Sequence, residues 1–296
     1  MSIPLTLCRF IDPLTDFGFK YLFTAEAHKN IMISFLNAIF HGEKKIRSIE
    51  YGVTEAAGNQ QMFKKVFFDI KCIADNGEQF IIEMQQQKQL YFKDRCIFYL
   101  SRSINRQTTM GKNWQKPLKT VYVIALINFK LSDSESGSYL QDIALMNKNT
   151  GKVFFERMGY KFIELPGFNK KEEELQTDLD KWLYILKHMS KLTQLPVSFQ
   201  EGVFFEIFQL AELNKMSEIE LEIYESNLKS YTDYENSITY AKMEAKAEGK
   251  AEGILEGEMA NKRVIAHQMK QKGFSINQIS EITCLPIDEI ETIALK

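Results

Sequence analysis

Residues 62–85, MFKKVFFDIKCIADNGEQFIIEMQ, decide how this chain folds. Two runs rich in β-branched and aromatic residues flank Asp75-Asn76-Gly77-Glu78, the strongest turn signal in the sequence. The pattern predicts a β-hairpin of residues 62–74 with 79–85. A two-residue Asn76-Gly77 turn would pair residue 75 with 78 and set Asp69 opposite Met84, leaving Asp69 and Glu83 on opposite faces. A three-residue loop, 75–77, pairs Ala74 with Glu78 and sets Asp69 directly opposite Glu83. That loop is a type I turn ending in a left-handed residue, a conformation Gly77 adopts without penalty. The three-residue loop, or a bulge with the same effect, is the expectation.

Outward from the hairpin the elements alternate. Residues 28–40 carry Ile31, Phe35, Ala38 and Ile39 at helical spacing and stop at His41-Gly42. Asp12 or Thr15 could cap an earlier helix, and residues 46–53 read as a strand followed by a polar loop at 56–61. Residues 88–110 read as one helix, closed by Gly111. Residues 119–129, KTVYVIALINF, form a near-continuous apolar run, expected of a sheet centre covered on both faces. A polar loop at 132–138 and strand-like pieces at 152–156 and 160–164 complete an α/β part ending near residue 165. Amphipathic helices are expected at 171–193 and 199–213, and helical composition continues through 216–263. Within it, 241–259 repeats Ala, Glu and Gly and reads as a solvated helix or linker weakened by three glycines. The chain thus divides into an α/β core, 1–165, a helical region, 166–240, a charged linker, 241–263, and a small helical module, 264–296.

Composition narrows the class. The 296 residues are 45% hydrophobic and 26% charged, with a net charge of -2, so bulk charge advertises no nucleic-acid binder and any such surface must come from local segregation. Lys and Arg cluster at 44–47, 64–71 and 88–119. Cys8, Cys72, Cys96 and Cys284 form no C-x-x-C pair, which excludes a zinc knuckle or disulfide framework and points to reduced thiols in a cytoplasmic protein. The four histidines show no metal-ligand spacing. The N-terminus has no signal-peptide character, and the longest apolar run, Val121 to Phe129, is too short to span a bilayer, so no membrane role is expected.

Asp69 and Glu83 interrupt otherwise apolar strands, Val66-Phe67-Phe68-Asp69-Ile70 and Phe80-Ile81-Ile82-Glu83-Met84. A carboxylate in an apolar strand is costly unless paired or bound to a metal, and here both arms of one hairpin carry one. Asp69 alone could pair with Lys71. With Glu83 and Gln85, which share a sheet face, it makes an Asp-x13-Glu-x-Gln constellation suited to holding Mg²⁺ against a phosphate. In the following helix Tyr91, Arg95, Tyr99 (or Phe98), Arg102 and Arg106 recur at three- and four-residue spacing, a basic and aromatic face suited to backbone phosphates.

This ordered set resembles the Rpn-type recombination-promoting nucleases, also described as PD-(D/E)XK nuclease family transposases. The resemblance rests on Asp16-Phe17-Gly18-Phe19-Lys20-Tyr21-Leu22-Phe23, the Asp69 strand, Ile82-Glu83-Met84-Gln85-Gln86 and the Arg95-x-x-x-Tyr99 helix, and extends to the Ala-Glu-Gly-rich helix and small helical tail. It implies a restriction-endonuclease-like mixed sheet flanked by helices, and Mg²⁺- or Mn²⁺-dependent DNA cleavage in recombination or mobile elements. It maps Asp69 and Glu83 to metal ligands; on the site reading the Met84 carbonyl is expected as an extra one. It maps Gln85 to the water-positioning place, where the superfamily pattern has lysine, and Asp16 to an extra acid. Asp16 could equally cap its helix. Lys20, Arg95, Tyr99 and Arg102 become candidate substrate contacts, although Tyr99 also suits core packing and Lys20 a solvated position.

Rival readings are a nuclease fold that binds nucleic acid without cutting, an assembly protein acting through its helical half, and the same chemistry on RNA. Homo-oligomerisation through the C-terminal half fits any of them. Residues 269–290 resemble a helix-turn-helix, capped by Ser275 and restarted at Pro286. Asp288, Glu289 and Glu291 on its second helix argue for a packing module rather than a groove reader.

Overall fold

The computed structural model describes residues 8–52, 55–56, 66–67, 69–107, 116–131 and 138–294. The expected loops at 57–61 and 132–137, residues 62–65 of the first hairpin arm, and the helix end at 108–110 with Gly111 lie outside the described residues. Contacts divide the chain into two compact units, Met1–Leu228 and Lys229–Lys296.

In the first unit the elements run α1 (Asp16–Phe23), α2 (Lys29–Ile39), β1 (Ile49–Tyr51), β2 (Glu55–Ala56), β3 (Val66–Phe67), β4 (Ile70–Ala74), β5 (Gln79–Gln85), α3 (Phe92–Asn105), β6 (Val121–Ile127), β7 (Leu140–Met146), β8 (Val153–Glu164), α4 (Asp178–His188) and α5 (Gly202–Leu210). The start of α6 (Glu218–Gln271) closes it. Six strands form one mixed sheet in the order β1-β4-β5-β6-β8-β7, while β2 and β3 pair separately. The β4–β5, β1–β4 and β7–β8 pairs are antiparallel, and β6 lies parallel to both β5 and β8. This is the α/β mixed sheet that the resemblance implied, with β6 at the centre. Six of its seven residues are buried, as its unbroken apolar run required.

Alternation along the strands sends side chains to two cores. Ile70, Cys72, Phe80, Ile82, Ile124 and Leu126 join the larger core with α1, α2, α4 and α5, where Phe23, Phe35 and Trp182 pack ring to ring. Ile81, Val121, Val123, Ala125 and Ile127 face Phe92, Cys96, Tyr99 and Leu100 of α3. None of the four cysteines is in a disulfide.

Several expectations need correction. The stretch 62–74 is not one strand: β3 pairs with β2, and β4 begins only at Ile70, so the chain bends at Asp69. The pieces at 152–156 and 160–164 are one twelve-residue strand, because register shifts against β7 let the pairing run on. The strand β7 went unpredicted; its apolar Ile143, Leu145 and Met146 are exposed at the sheet edge, so no hydrophobic alternation marks it. The helices expected at 171–193 and 199–213 shorten to α4 and α5, flanked by 3₁₀ turns. The glycines at 249, 253 and 257 do not break α6, because the Ala, Lys and Glu around them carry strong helix propensity.

In the second unit the end of α6 joins α7 (Ile276–Thr283) and α8 (Ile287–Thr292) around Ala266, Ile279, Leu285 and Ile290. Ser275 and Gln278 form a capping box, and Pro286 stands at the N-cap of α8. Among the described residues no helix is long and apolar enough to cross a membrane.

Candidate active site

The loop at 75–77 fixes the site. The Ala74 N–H donates to the Glu78 carbonyl at 2.9 Å, the Gly77 N–H donates to the Ala74 carbonyl at 2.8 Å, and Gly77 has φ +83°. This is the three-residue loop, and the ladder it sets, Ile73↔Gln79 through Ile70↔Ile82, brings Asp69 opposite Glu83. In this ladder 74/78, 72/80 and 70/82 are the hydrogen-bonded pairs, so 69/83 is a non-bonded pair, where side chains come closest. Both carboxylates lie on the face covered by α3, together with Lys71, Ile81 and Gln85.

Backbone groups aim both acids. The Asp69 Oδ2 accepts the Met84 N–H at 2.7 Å, and the Asp69 N–H points to Glu83 Oε1 at 3.4 Å. Glu83 is only 4% exposed. Burial pushes its carboxyl well above the ordinary glutamate range, and the Asp69 charge pushes it further, against the pull of Arg95, the Asp69 N–H and Lys20. Burial also raises Asp69, opposed by the Met84 N–H, Lys20 and Arg95 and aided by Asp16. Asp69 and Lys71 form no ion pair, so the bland pairing of those neighbours is set aside.

From α3, Arg95 reaches the same face. Its Nη2 donates to Gln85 Oε1 at 2.5 Å, its Nη1 donates to Gln89 Oε1 at 2.6 Å, and its guanidinium lies over the Phe92 ring. Arg95 therefore orients the Gln85 amide, with the carbonyl end occupied and the NH₂ end turned away as a donor. Tyr99 is buried in the α3 core, and burial first, then Glu83, pushes its hydroxyl up to about 12. The expected aromatic and basic face of the helix therefore splits. Tyr91 precedes α3 in a left-handed conformation and is exposed, Phe98 and Arg106 are exposed, Arg102 is half-buried, and Tyr99 lies beneath.

The first helix frames the other side. Thr15, not Asp16, caps α1, its Oγ1 accepting the Gly18 N–H at 3.0 Å. Asp16 occupies the first turn and forms an exposed ion pair with Lys20 at 2.7 Å. The glycine at 18 is required: a Cβ there would sit 2.1 Å from the Asp12 carbonyl oxygen. Gln86, given no role by the sequence, ties the parts together. Its Nε2 donates to the Leu14 carbonyl at 2.6 Å and its Oε1 accepts from Asn128 at 2.9 Å. Only its position after Glu-x-Gln could have signalled this.

Among the described residues no group of three His, Cys, Asp or Glu side chains comes together, so Asp16 is not gathered with the pair into a ready-made cage. The donor set nonetheless suits a hard cation. Two carboxylates face each other, one of them buried, with no cation among the described residues in contact with either. Mg²⁺ is commonly held by one or two carboxylates, with water and phosphate filling the rest.

A family model described as "PD-(D/E)XK nuclease family transposase" matches residues 13–241. A search of curated proteins and one of solved structures found no match. The matched span begins just before the capped first helix and takes in the bent strand, the hairpin and α3, so this chain belongs to the PD-(D/E)XK nuclease family of transposases.

Proposed function

We propose that the chain is a Mg²⁺-dependent DNA endonuclease, a hydrolase of phosphodiester bonds, acting intracellularly in recombination or the movement of mobile elements. The observation that carries this reading is the Asp69–Glu83 pair, set opposite one another by the hairpin register, with Glu83 buried and, among the described residues, no cation in contact with either acid.

Asp69 and Glu83 hold the metal, which when bound supplies Lewis acidity and lowers the pKa of a water. The Met84 carbonyl leaves the strand on the same side as the N–H that bonds Asp69, which suits it as a further oxygen donor. Asp16, paired to Lys20, acts on Asp69 through its charge from outside this set. The Gln85 amide, locked by Arg95, donates its NH₂ toward the water or phosphate oxygen; it orients and does not take a proton. Arg95, Lys20 and Arg102 supply positive charge beside the backbone, and Tyr99 supports the carboxyl pair from beneath.

Cleavage of supercoiled plasmid with Mg²⁺ or Mn²⁺, against EDTA, tests the reading. Nicking or linearisation that needs metal and is lost in Asp69→Ala and Glu83→Ala supports it. Metal binding without cleavage of DNA would give instead a nuclease fold retained for binding or assembly, and cleavage of RNA alone would change the substrate.

A further inference from the structure

Beyond Gln85 the chain runs through a short loop into α3, and two large side chains, one aliphatic and one aromatic, stand out from it. Leu90 is 86% exposed and Tyr91 77%. A single exposed leucine needs no explanation. Here two such residues adjoin, within six residues of Gln85, and the backbone at the second is strained. Tyr91 has φ 60° and ψ 27°, a left-handed conformation that bulky residues rarely adopt. Among the described residues the other non-glycine with positive φ is Cys284. Cys284 closes α7 at its C-terminus, where left-handed residues are routine. Tyr91 instead stands at the N-cap of α3, where extended backbone is the rule, and makes no side-chain cap hydrogen bond. Helix capping does not account for the strain. Such strain persists only where the surroundings enforce it, and it gathers at functional sites.

The surroundings enforce it here. Gln86 is tied to the Leu14 carbonyl and to Asn128. Arg95 holds Gln85 through Nη2 and Gln89 through Nη1. The Tyr91 carbonyl accepts the Arg95 N–H at 3.0 Å, and Phe92 is buried against Phe129 and Phe162. The loop is thus fixed at both ends, and through Arg95 it is fixed to the Gln85 amide of the carboxyl site. Its charge suits a polyanion. From 88 to 106 five cations, Lys88, Lys93, Arg95, Arg102 and Arg106, stand against one acid, Asp94. The sugar–phosphate surface of DNA offers little to a leucine and a tyrosine set in such a segment; the faces of the bases offer an apolar, stacking partner.

Given the nuclease reading, on which this inference rests, we propose that Leu90 and Tyr91 form a wedge that enters between two stacked bases of the DNA beside the cleaved linkage and parts that step. The wedge reads no base edge. It favours steps that open easily, pyrimidine–purine steps above all.

The test uses duplexes carrying a single 2-aminopurine at successive positions, bound by the full chain in Ca²⁺. This base brightens when it loses its stacking neighbours. Wild type should brighten it severalfold at one step, and Tyr91→Phe should do the same. Tyr91→Gly and Leu90→Ser should abolish most of the response while still binding the duplex. Tyr91→Gly should also melt no earlier than wild type, because glycine takes the left-handed conformation freely, so unfolding does not explain its loss. A flat series in wild type that nonetheless binds DNA, or equal brightening by wild type and Tyr91→Gly, overturns the wedge and leaves the nuclease reading standing. Absence of DNA binding by wild type overturns both. If the series is flat and Tyr91→Gly instead breaks a wild-type dimer seen by sedimentation without DNA, the pair is an interface between copies, and the assignment to DNA is overturned.

Discussion

The Asp69 carboxylate accepts the backbone N–H of Met84, the residue after Glu83, while the Asp69 N–H points back to the Glu83 carboxylate. Each acid is thus held by the other's strand. Their separation is set by main-chain register, which is stiffer than any side-chain contact, and the consequences can be measured.

The Glu83 carboxyl is raised by burial and by Asp69, so in the metal-free protein its ionisation opposes folding. Below the ordinary glutamate range both folded and unfolded states are protonated and the cost vanishes. As pH rises through the folded value the cost reaches its full size. Glu83→Gln should therefore stabilise the metal-free protein at neutral pH, by on the order of 1 kcal/mol or about 2–4 °C. The gain should shrink as the pH falls towards that ordinary range. Thermal melts from acid to neutral pH in EDTA test this, and a gain that grew on acidification would contradict it.

The same raised carboxyl couples metal to protons. Loading a divalent cation should release protons, and apparent affinity should rise with pH while Glu83 is partly protonated. Calorimetric titrations with Mn²⁺ in buffers of different ionisation enthalpy give the proton count directly. A count of zero at a pH just below the raised value would contradict the burial argument.

Gln85 takes its orientation from Arg95. Restoring the superfamily lysine with Gln85→Lys would place a second cation against that guanidinium, so the change should lower cleavage rather than raise it. A loss of about 10–100-fold is expected for it and for Arg95→Ala. Single-turnover rates at saturating metal are the measurement, and faster cleavage by Gln85→Lys would show that Arg95 does not set the site.

Inserting one residue between Asn76 and Gly77, with a three-residue loop kept, would pair residue 75 with 78 and set Asp69 opposite Met84, moving the acid to the other face. Metal binding should disappear whether or not the β content of the circular dichroism spectrum survives. By contrast Gly77→Ala keeps the register and costs about 1–2 kcal/mol for a left-handed alanine, so it should bind metal normally when folded.

Gly18→Ala should destabilise by more than about 2 kcal/mol. The Asp12 carbonyl oxygen it would strike is backbone and cannot swing aside. Denaturant unfolding measures the loss, and the sequence carried no sign of it beyond a glycine in an otherwise helical run.

The hairpin and its two acids were legible because turn chemistry and strand alternation are local properties: Gly77 and the spacing to Asp69 and Glu83 sufficed. The central strand was legible from its unbroken apolar run. What escaped depends on contacts distant in sequence. Lys71 looks like any solvated lysine until Gly52 and the sheet edge enclose it. That Arg95 bonds to Gln85 is set by the packing of α3 and cannot be read from its spacing. The basic and aromatic helical face was a spacing argument, and spacing does not reveal that Tyr99 turns inward. β7 escaped because an exposed edge strand has little apolar pattern to show.

The bend at Asp69 has a wider implication. Where β4 gives out, a main-chain donor of β5 meets a side chain instead of a neighbouring strand. The sheet is missing a rung there, and the acid stands in for it. A redesign that restored regular pairing past Ile70 would make a tidier sheet and would release the acid from the one bond that aims it. In this protein an irregularity of the scaffold and the orientation of the carboxylate proposed to hold the metal are the same feature, so smoother folding and the proposed chemistry place opposite demands on residue 69.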